Sequence, residues 1–327
     1  MKWMMRTTAA MVLLISYIMV YAGCANFNRE EVIVAVLDTG VDSEHPLLRG
    51  KVIQGWDFAD QDRDSSDDDG HGTHVAGIIL EKAPNAKILS VRVIKNDDVM
   101  NTGLAILYAI TQGADIVNMS FVEPYHPFTE MAIQYGKSKG VVFVASSGNQ
   151  NQDKVLYPAK YDEVISVTAT DESLHYVYGN YGRTVNFAAP GMNIRSASLD
   201  GGYLNMTGTS MSAAYMSGVM AYLKSMYPSM GSEDLEDYLN TASITRNDLV
   251  LYASHETMHR PFKVIDYEQV QRLVRMELAS GSESVEPAAA LRSEMQSIDS
   301  YNRMPTIVEM SSDHLEGSAN SEPYRTE

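Results

Sequence analysis

Residues 31–40 read Glu-Val-Ile-Val-Ala-Val-Leu-Asp-Thr-Gly, a run of β-branched apolar residues with an abrupt polar end. The run at 31–37 predicts a buried strand, and Gly40 allows the chain to turn sharply after it. Further strands are predicted at 88–94, 115–119, 141–145 and 163–169, and helices at 74–80, 102–112, 129–139 and 212–226. This alternation indicates βαβ units, so we expect an α/β fold with a mostly parallel sheet.

The composition limits the classes of partner and site. The chain has 327 residues, of which 45% are hydrophobic, and this fraction excludes a mostly disordered chain. With 25 basic and 42 acidic residues the net charge is −17, so we expect no binding to nucleic acid. A single cysteine excludes an intramolecular disulfide and any metal site built from several cysteines.

The amino terminus has the features of an export signal. Lys2 and Arg6 precede an uncharged apolar run at 9–20, which is short for a membrane span. The sequence Tyr-Ala-Gly-Cys at 21–24 resembles the end of a bacterial lipoprotein signal, with Tyr21 where an aliphatic residue is more usual. We therefore expect a signal at 1–23, a lipid on Cys24 and a linker at 24–30. The protein would then be anchored to the outer face of the cytoplasmic membrane. A conventional signal with an incidental cysteine is the alternative.

Three short motifs carry groups suited to nucleophilic chemistry. Asp38 follows the first strand, His71 lies in Asp-Gly-His-Gly-Thr-His-Val-Ala-Gly at 69–77, and Ser210 lies in Gly-Thr-Ser-Met-Ser at 208–212. A serine hydroxyl needs a base to become nucleophilic, and a histidine base needs an acid that fixes its tautomer. The three residue types are therefore a candidate catalytic set.

These motifs and their order resemble those of the subtilisin-like (subtilase) serine protease family, over about residues 32–273. The resemblance implies a three-layer fold and a catalytic domain at 31–275. The composition that follows, rich in Ser, Glu, Ala and Asn with little apolar periodicity, predicts a polar, disordered tail at 276–327. The resemblance also implies that Ser210 attacks a peptide carbonyl, that His71 acts as base and then acid, and that Asp38 orients His71.

The same resemblance assigns further parts of the site. Asn149, in Ala-Ser-Ser-Gly-Asn at 145–149, would donate to the oxyanion. Ser120 and Gly148 would present backbone groups to an extended substrate. The implied partner is a peptide or protein substrate, the implied assembly is a monomer, and the chemistry requires no cofactor.

Departures from the family pattern bear on specificity. Val122 and Glu123 stand where the family commonly has glycines, so Val122 should narrow the substrate pocket and Glu123 could favour a basic residue. A loop that runs differently is the alternative. Only a short stretch precedes Asp38, with no family-type pro-domain, which favours dedicated maturation of an exported peptide over broad proteolysis. A peptide-binding module that has lost catalysis is a second functional class.

Three other signals have structural alternatives. His-Glu-Thr-Met-His at 255–259 matches a zinc motif, but Pro261 follows directly, and we expect incidental surface residues and no metal site. The aspartates at 60–69 form either a weak Ca²⁺ site or a solvated acidic loop. His74 is expected to be a structural helix residue.

Overall fold

The structure is a computed structural model that describes residues 31–258 and 261–280. The predicted signal, Cys24, the linker at 24–30 and the part of the tail beyond 280 lie outside the described residues, so these predictions remain predictions. Among the described residues, no helix combines the length and the apolar character that a membrane crossing requires.

The described part of the chain is built around one large sheet. Its strands are β1 Ile33–Asp38, β2 Val52–Asp57, β3 Lys87–Arg92, β6 Ile116–Met119, β7 Val142–Ser146, β8 Val164–Thr170, β9 Tyr176–Tyr178, β10 Phe187–Pro190, β13 Ile244–Arg246, β14 Val250–Leu251 and β15 Phe262–Val264. The order across the sheet is β13-β15-β10-β8-β7-β6-β1-β3-β2. Every neighbouring pair from β15 to β2 is parallel. The predicted mostly parallel sheet is therefore confirmed.

Smaller elements decorate the edges of this sheet. β9 pairs antiparallel with β8 and parallel with β14, which extends the sheet sideways. Two separate hairpins are formed by β4 Ile94–Lys95 with β5 Asp98–Val99, and by β11 Ile194–Ala197 with β12 Tyr203–Met206.

Helices cover both faces of the sheet. They are α1 His71–Lys82, α2 Thr102–Thr111, α3 Pro127–Ser138, α4 Thr209–Met226, α5 Ser232–Ala242 and α6 Tyr267–Ser280. Alternate residues of β1, such as Ala35 and Leu37, share one buried cluster with Ile106 of α2 and Ile133 of α3. α1 and α4 pack on the opposite face. The three-layer α/β architecture is thus confirmed.

The expected domain end at 275 needs correction. α6 continues to Ser280, so a helix crosses the expected boundary. Val270 and Val274 of this helix are fully buried. These two residues lie within the expected domain, recur at helical spacing and bind the helix to the core, and the helix they anchor continues past residue 275.

Candidate active site

Asp38 lies at the carboxyl end of β1, the edge where parallel sheets place their functional residues. Its side chain is fully buried, and Oδ1 accepts hydrogen bonds from His71 Nδ1 (2.7 Å) and the Thr39 N–H (2.8 Å). Gly72 allows α1 to begin this close to β1, because a Cβ there would lie 3.1 Å from the Asp38 Cβ and would collide with the Gly40 carbonyl. The first two members of the predicted set are therefore in direct contact.

A third carboxylate, Asp67, joins the end of β1 to the start of α1. It accepts hydrogen bonds from the Thr39 hydroxyl (2.8 Å), the Gly70 N–H (2.9 Å) and the Thr73 N–H (2.9 Å). Sequence reasoning missed this role because Asp67 is one of many aspartates in the loop. Its spacing of three residues before Gly70, at the start of a helix, is the available signal.

The His71 ring is held in a strongly negative environment. Burial disfavours the charged ring, but the Asp38 carboxylate outweighs burial and raises the pKa of His71 to about 9. The carboxylates of Asp69 and Asp67 act in the same direction. A protonated ring cannot accept a proton, so this histidine becomes a base only as the pH rises.

We therefore expect kcat/KM for peptide hydrolysis to rise with pH. The midpoint of this rise, the acid limb of the pH profile, should lie well above pH 6.5. Asp69→Asn should move this limb to lower pH, because it removes one carboxylate that favours the charged ring. Rates measured against pH at low ionic strength, where surface charges are least screened, provide the test.

Asp60→Asn is the matched control, since Asp60 belongs to the same loop but pairs with Lys95 (2.6 Å). An acid limb that stays in place in Asp69→Asn, or that moves equally in Asp60→Asn, would contradict the electrostatic explanation.

His74, one turn along α1, has a different environment from His71. It is fully buried, and its Nε2–H donates to the carbonyls of Ile194 (3.1 Å) and Leu204 (3.3 Å) in the β11–β12 hairpin. Burial lowers the pKa of His74 to about 4, and the charge of His71 acts in the same direction. His74 is thus a neutral ring that ties the hairpin to α1, which agrees with its expected structural role.

Ser210 lies in the first turn of α4 and is largely buried. Its hydroxyl donates to the Ser120 carbonyl (2.9 Å), and the Ser120 hydroxyl donates to the Ser210 carbonyl (3.0 Å). Asn118 Nδ2 in turn donates to the Ser120 hydroxyl (2.9 Å). Within 31–258 and 261–280, the hydrogen bonds join His71 to Asp38 and Ser210 to Ser120, and none joins His71 to Ser210.

His71 and Ser210 nevertheless lie at the same end of two helices that pack against each other. A Cβ on Gly218 of α4 would lie 2.9 Å from the carbonyl of Ile79 of α1. Gly218 lies eight positions after Ser210, and Ile79 lies eight positions after His71. The far ends of both helices approach Val32 around one cavity at the amino edge of the sheet. The two helices are therefore parallel, and both begin at the carboxyl edge.

The Asn149 amide is oriented by Thr209, the residue before Ser210. Asn149 Oδ1 accepts hydrogen bonds from the Thr209 N–H (3.0 Å) and the Thr209 hydroxyl (2.9 Å). This contact uses the oxygen and directs the amide nitrogen away from it, towards Gly208. Ser210 N–H lies in the first turn of α4, where amide groups have no intrahelical acceptor. The Asn149 amide nitrogen and the Ser210 N–H are therefore two candidate oxyanion donors near the start of α4.

Two of the expected substrate-binding residues, Val122 and Gly148, differ in exposure and in their hydrogen bonds. Val122 is exposed (38%) directly beyond the Ser120 segment. Gly148 is buried, and its N–H donates to the Thr209 hydroxyl (3.2 Å) while its carbonyl accepts from the Asn180 N–H (2.7 Å). Each backbone group of Gly148 thus has one partner within the protein, and its place in the substrate-binding set stays a prediction. With φ at +106°, its part is to support Asn149 in a conformation that glycine adopts readily.

Glu123 is held through one carboxylate oxygen and its backbone N–H, while its other oxygen, Oε1, is buried and has no hydrogen-bond partner among the described residues. Its Oε2 accepts a hydrogen bond from the Thr102 hydroxyl (2.7 Å), and its N–H donates to the Tyr157 carbonyl (2.8 Å). Burial raises the pKa of Glu123, although the bond to Thr102 opposes the shift. Glu123 therefore fixes the segment after Val122 to the start of α2.

Most carboxylates of the acidic loop at 60–69 bond to other groups of the protein. Asp62, Asp64 and Asp69 each accept the N–H two residues ahead, and Asp68 pairs with Arg92 (2.8 Å). In the described ranges, no group of three or more His, Cys, Asp or Glu side chains is arranged to hold a metal ion.

The zinc-like motif does not form the helix that its chemistry needs. His255 has a left-handed backbone (φ +56°), and Thr257 forms a β-bridge with Val250. His259 lies outside the described residues. The first four positions of the motif thus belong to a turn at the edge of the sheet.

Comparison with known proteins places this arrangement in a family. The family model described as Subtilase family matches residues 29–271. The chain is 41% identical over 207 residues to the thermophilic serine proteinase of Bacillus sp. (strain AK1), covering 59% of this chain and 52% of that protein. It is 39% identical over 207 residues to thermitase of Thermoactinomyces vulgaris, covering 59% of this chain and 74% of that protein. The alignment thus spans about half the length of the first relative.

A solved structure supports the same assignment. The crystal structure of a cold-adapted subtilisin-like serine proteinase is 31% identical, with a TM-score of 0.63. The likeness covers 74% of this chain and 92% of that one. The match of the family model to most of the chain, together with this fold, shows that the protein belongs to the subtilase family of serine proteases.

Proposed function

We propose that the protein is a serine endopeptidase that uses Ser210, His71 and Asp38. The Ser210 oxygen attacks the substrate carbonyl while His71 Nε2 takes its proton. His71 then gives this proton to the leaving amine, and water hydrolyses the acyl-enzyme by the same route in reverse. Asp38 holds the proton on Nδ1 and stabilises the charged ring.

This mechanism requires one local movement. The Ser210 hydroxyl, which donates to the Ser120 carbonyl at rest, must turn to donate to His71. We propose that this movement is a rotation of the serine side chain between staggered positions. Catalytic hydrogen bonds are often long or misaligned without substrate, so the resting geometry is compatible with this step.

The observation that carries the proposal is the buried contact between Asp38 and His71. A histidine bonded to a fully buried carboxylate at 2.7 Å, at the sheet edge where Ser210 begins α4, has the orientation that a general base needs. A peptide-binding module without catalysis has no use for this contact or for the oriented Asn149 amide.

Labelling with a fluorophosphonate probe tests the activity directly. The purified protein should be labelled on Ser210 and should hydrolyse casein, and both reactions should become faster as the pH rises. Stable, folded protein that neither reacts with the probe nor hydrolyses casein at any pH from 6 to 10 would favour the binding module.

Replacement of Asn149 by alanine should lower kcat by about 10²- to 10³-fold with little change in KM. The amide is proposed to contact the oxyanion only in the transition state, so ground-state binding should survive. Steady-state kinetics on one peptide substrate measure this split.

Thr209→Val tests how the segment with Asn149 is held, because it keeps the shape but removes the hydroxyl that donates to Asn149 Oδ1 and accepts from the Gly148 N–H. We expect an intermediate loss in this variant and recovery in Thr209→Ser. An equal rise in KM and fall in kcat for Asn149→Ala would argue for a role in ground-state binding instead.

We also propose that the protein is exported and held at the outer face of the cytoplasmic membrane by a lipid on Cys24. The support is the signal-like sequence at 1–24, in which the single cysteine occupies the position that lipidation uses. Incorporation of labelled fatty acid that is lost in Cys24→Ala would support the anchor, and unlabelled protein in the growth medium would overturn it.

A dedicated maturation role is proposed over broad proteolysis. Val122 places a side chain on the exposed surface beside Ser120, where it would restrict the substrate residue that precedes the scissile bond. A cleavage profile on a peptide library decides between the two roles, because a broad profile would remove the maturation proposal.

A further inference from the structure

A group of aromatic rings, some exposed and some half-buried, lies beside the site and has no part in the chemistry described above. This tyrosine surface consists of Tyr176 and Tyr178 of β9 with Tyr252 and His255 of the turn after β14. The Tyr252 ring centre lies 6.2 Å from that of Tyr176 and 6.3 Å from that of Tyr178. His255 adds a ring 6.3 Å from Tyr176. Tyr252 is 49% exposed, so the rings form a surface that another molecule can reach.

The tyrosine surface is continuous with the oxyanion side of the active site. Tyr178 directly precedes Gly179, where a Cβ would lie 2.7 Å from the Gly148 carbonyl and 3.7 Å from Asn149 Oδ1. Asn180 then donates its N–H to the Gly148 carbonyl (2.7 Å). An extended peptide bound at Ser210 can therefore reach these rings.

The backbone holds the rings on one face. Val177 is buried (1% exposed), so Tyr176 and Tyr178 project to the opposite, outer face of β9. The Tyr252 N–H donates to the Val177 carbonyl (2.9 Å), which fixes the turn that carries Tyr252 to the same strand. The surface is thus preorganised.

The charge around the rings favours a cation. The two segments that form this surface, 171–178 and 246–258, contain four carboxylates and one arginine. The arginine, Arg246, is already paired with Asp248 (2.7 Å). Aromatic faces attract Lys and Arg side chains, and neighbouring carboxylates strengthen this attraction. The net charge of −17 also favours a basic partner at long range.

We infer that the tyrosine surface binds an arginine or lysine side chain of the peptide substrate, outside the residues that react. This inference rests on the proposed peptidase function. It assigns a preference for basic substrates to Tyr252 and its neighbours, whereas Glu123 is half-buried and bonds to Thr102 through one carboxylate oxygen.

The test uses fluorescence-quenched peptides of ten residues in which one arginine is moved along a neutral sequence. Tyr252→Ala should lower kcat/KM about two- to fivefold for peptides with arginine at one or two positions. It should leave the neutral peptide unchanged. Tyr252→Leu keeps much of the apolar area but lacks the ring, and it should show the same loss.

Leu278→Ala is the matched control. Leu278 is also exposed (57%), and it lies next to Glu277, which contacts Tyr227 at the opposite end of α4 from Ser210. We expect no change on any peptide for this variant.

The outcomes separate the inference from the proposed function. If the unaltered protein cleaves no peptide, the peptidase function itself fails. If it cleaves them and Tyr252→Ala changes arginine and neutral peptides by the same factor, the inference is wrong. Full activity in Tyr252→Leu would show that an apolar contact, and not a cation, occupies the surface.

Discussion

Alanine in place of Ser210 is expected to lower kcat about 10⁶-fold and to abolish labelling by a fluorophosphonate. In subtilisin, loss of the nucleophile alone lowers kcat by this order, and the activity that remains comes from binding and the oxyanion donors. The Ser210 hydroxyl bonds only to the Ser120 carbonyl among the described contacts, so its removal should leave the fold intact. Circular dichroism and thermal melting should therefore match the parent protein.

Ser225→Ala provides the matched control for this experiment. Ser225 belongs to the same helix, but its hydroxyl donates to the Tyr222 carbonyl near the far end. This variant should keep kcat within twofold or so of the parent. If Ser210→Ala retains a tenth or more of the parent turnover, Ser210 is not the nucleophile.

The second large effect is expected for Asp38→Asn, which should lower kcat about 10⁴-fold. Asparagine keeps an oxygen that can accept from Thr39 and His71, but it removes the charge that stabilises the imidazolium. Loss of this charge should also lower the pKa of His71, so the acid limb of the residual activity should move to lower pH. The pH–rate profile therefore separates an electrostatic role from a steric one.

Asp42→Asn is the control for Asp38→Asn. Asp42 lies four residues further on, and its carboxylate accepts a hydrogen bond from the local N–H of Glu44 (2.9 Å). We expect it to leave both kcat and the acid limb unchanged. Residual activity of Asp38→Asn that is only tenfold below the parent, with an unmoved limb, would mean that Asp38 does not serve His71.

The core strands and the residues at their ends were accessible from the sequence because both are local patterns. The run at 31–37 predicted β1, observed at Ile33–Asp38, and the turn signals around it placed Asp38 at the edge of the sheet. In contrast, β2 was missed, since its residues Val52 to Gln54 lie at a partly exposed edge and lack the apolar alternation of a half-buried strand.

The parts that could not be predicted depend on contacts between distant segments. The pairing of β9 with β14 joins residues more than 70 positions apart, and nothing local to either segment encodes it. The same holds for the Thr209–Asn149 contact, which orients the amide. The zinc-like motif at 255–259 shows the opposite case, because a local pattern suited to a helix lies in a turn.

The two histidines of α1 make both the stability of the protein and its rate of autolysis depend on pH. His71 prefers its proton in the folded state, so its stabilising contribution is complete below pH 6.5 and disappears as the pH rises through about 9. His74 has the opposite effect, because its pKa is lowered in the folded state. Its contribution to the free energy of unfolding, on the order of 3 kcal/mol, is present above pH 6.5 and is lost as the pH falls towards 4.

Near neutral pH both histidines stabilise the folded state. His71, the proposed base, is still charged at this pH, so hydrolysis is slow. Purified protein should therefore stay folded and nearly inactive in slightly acidic buffer, and a shift to alkaline pH should start autolysis.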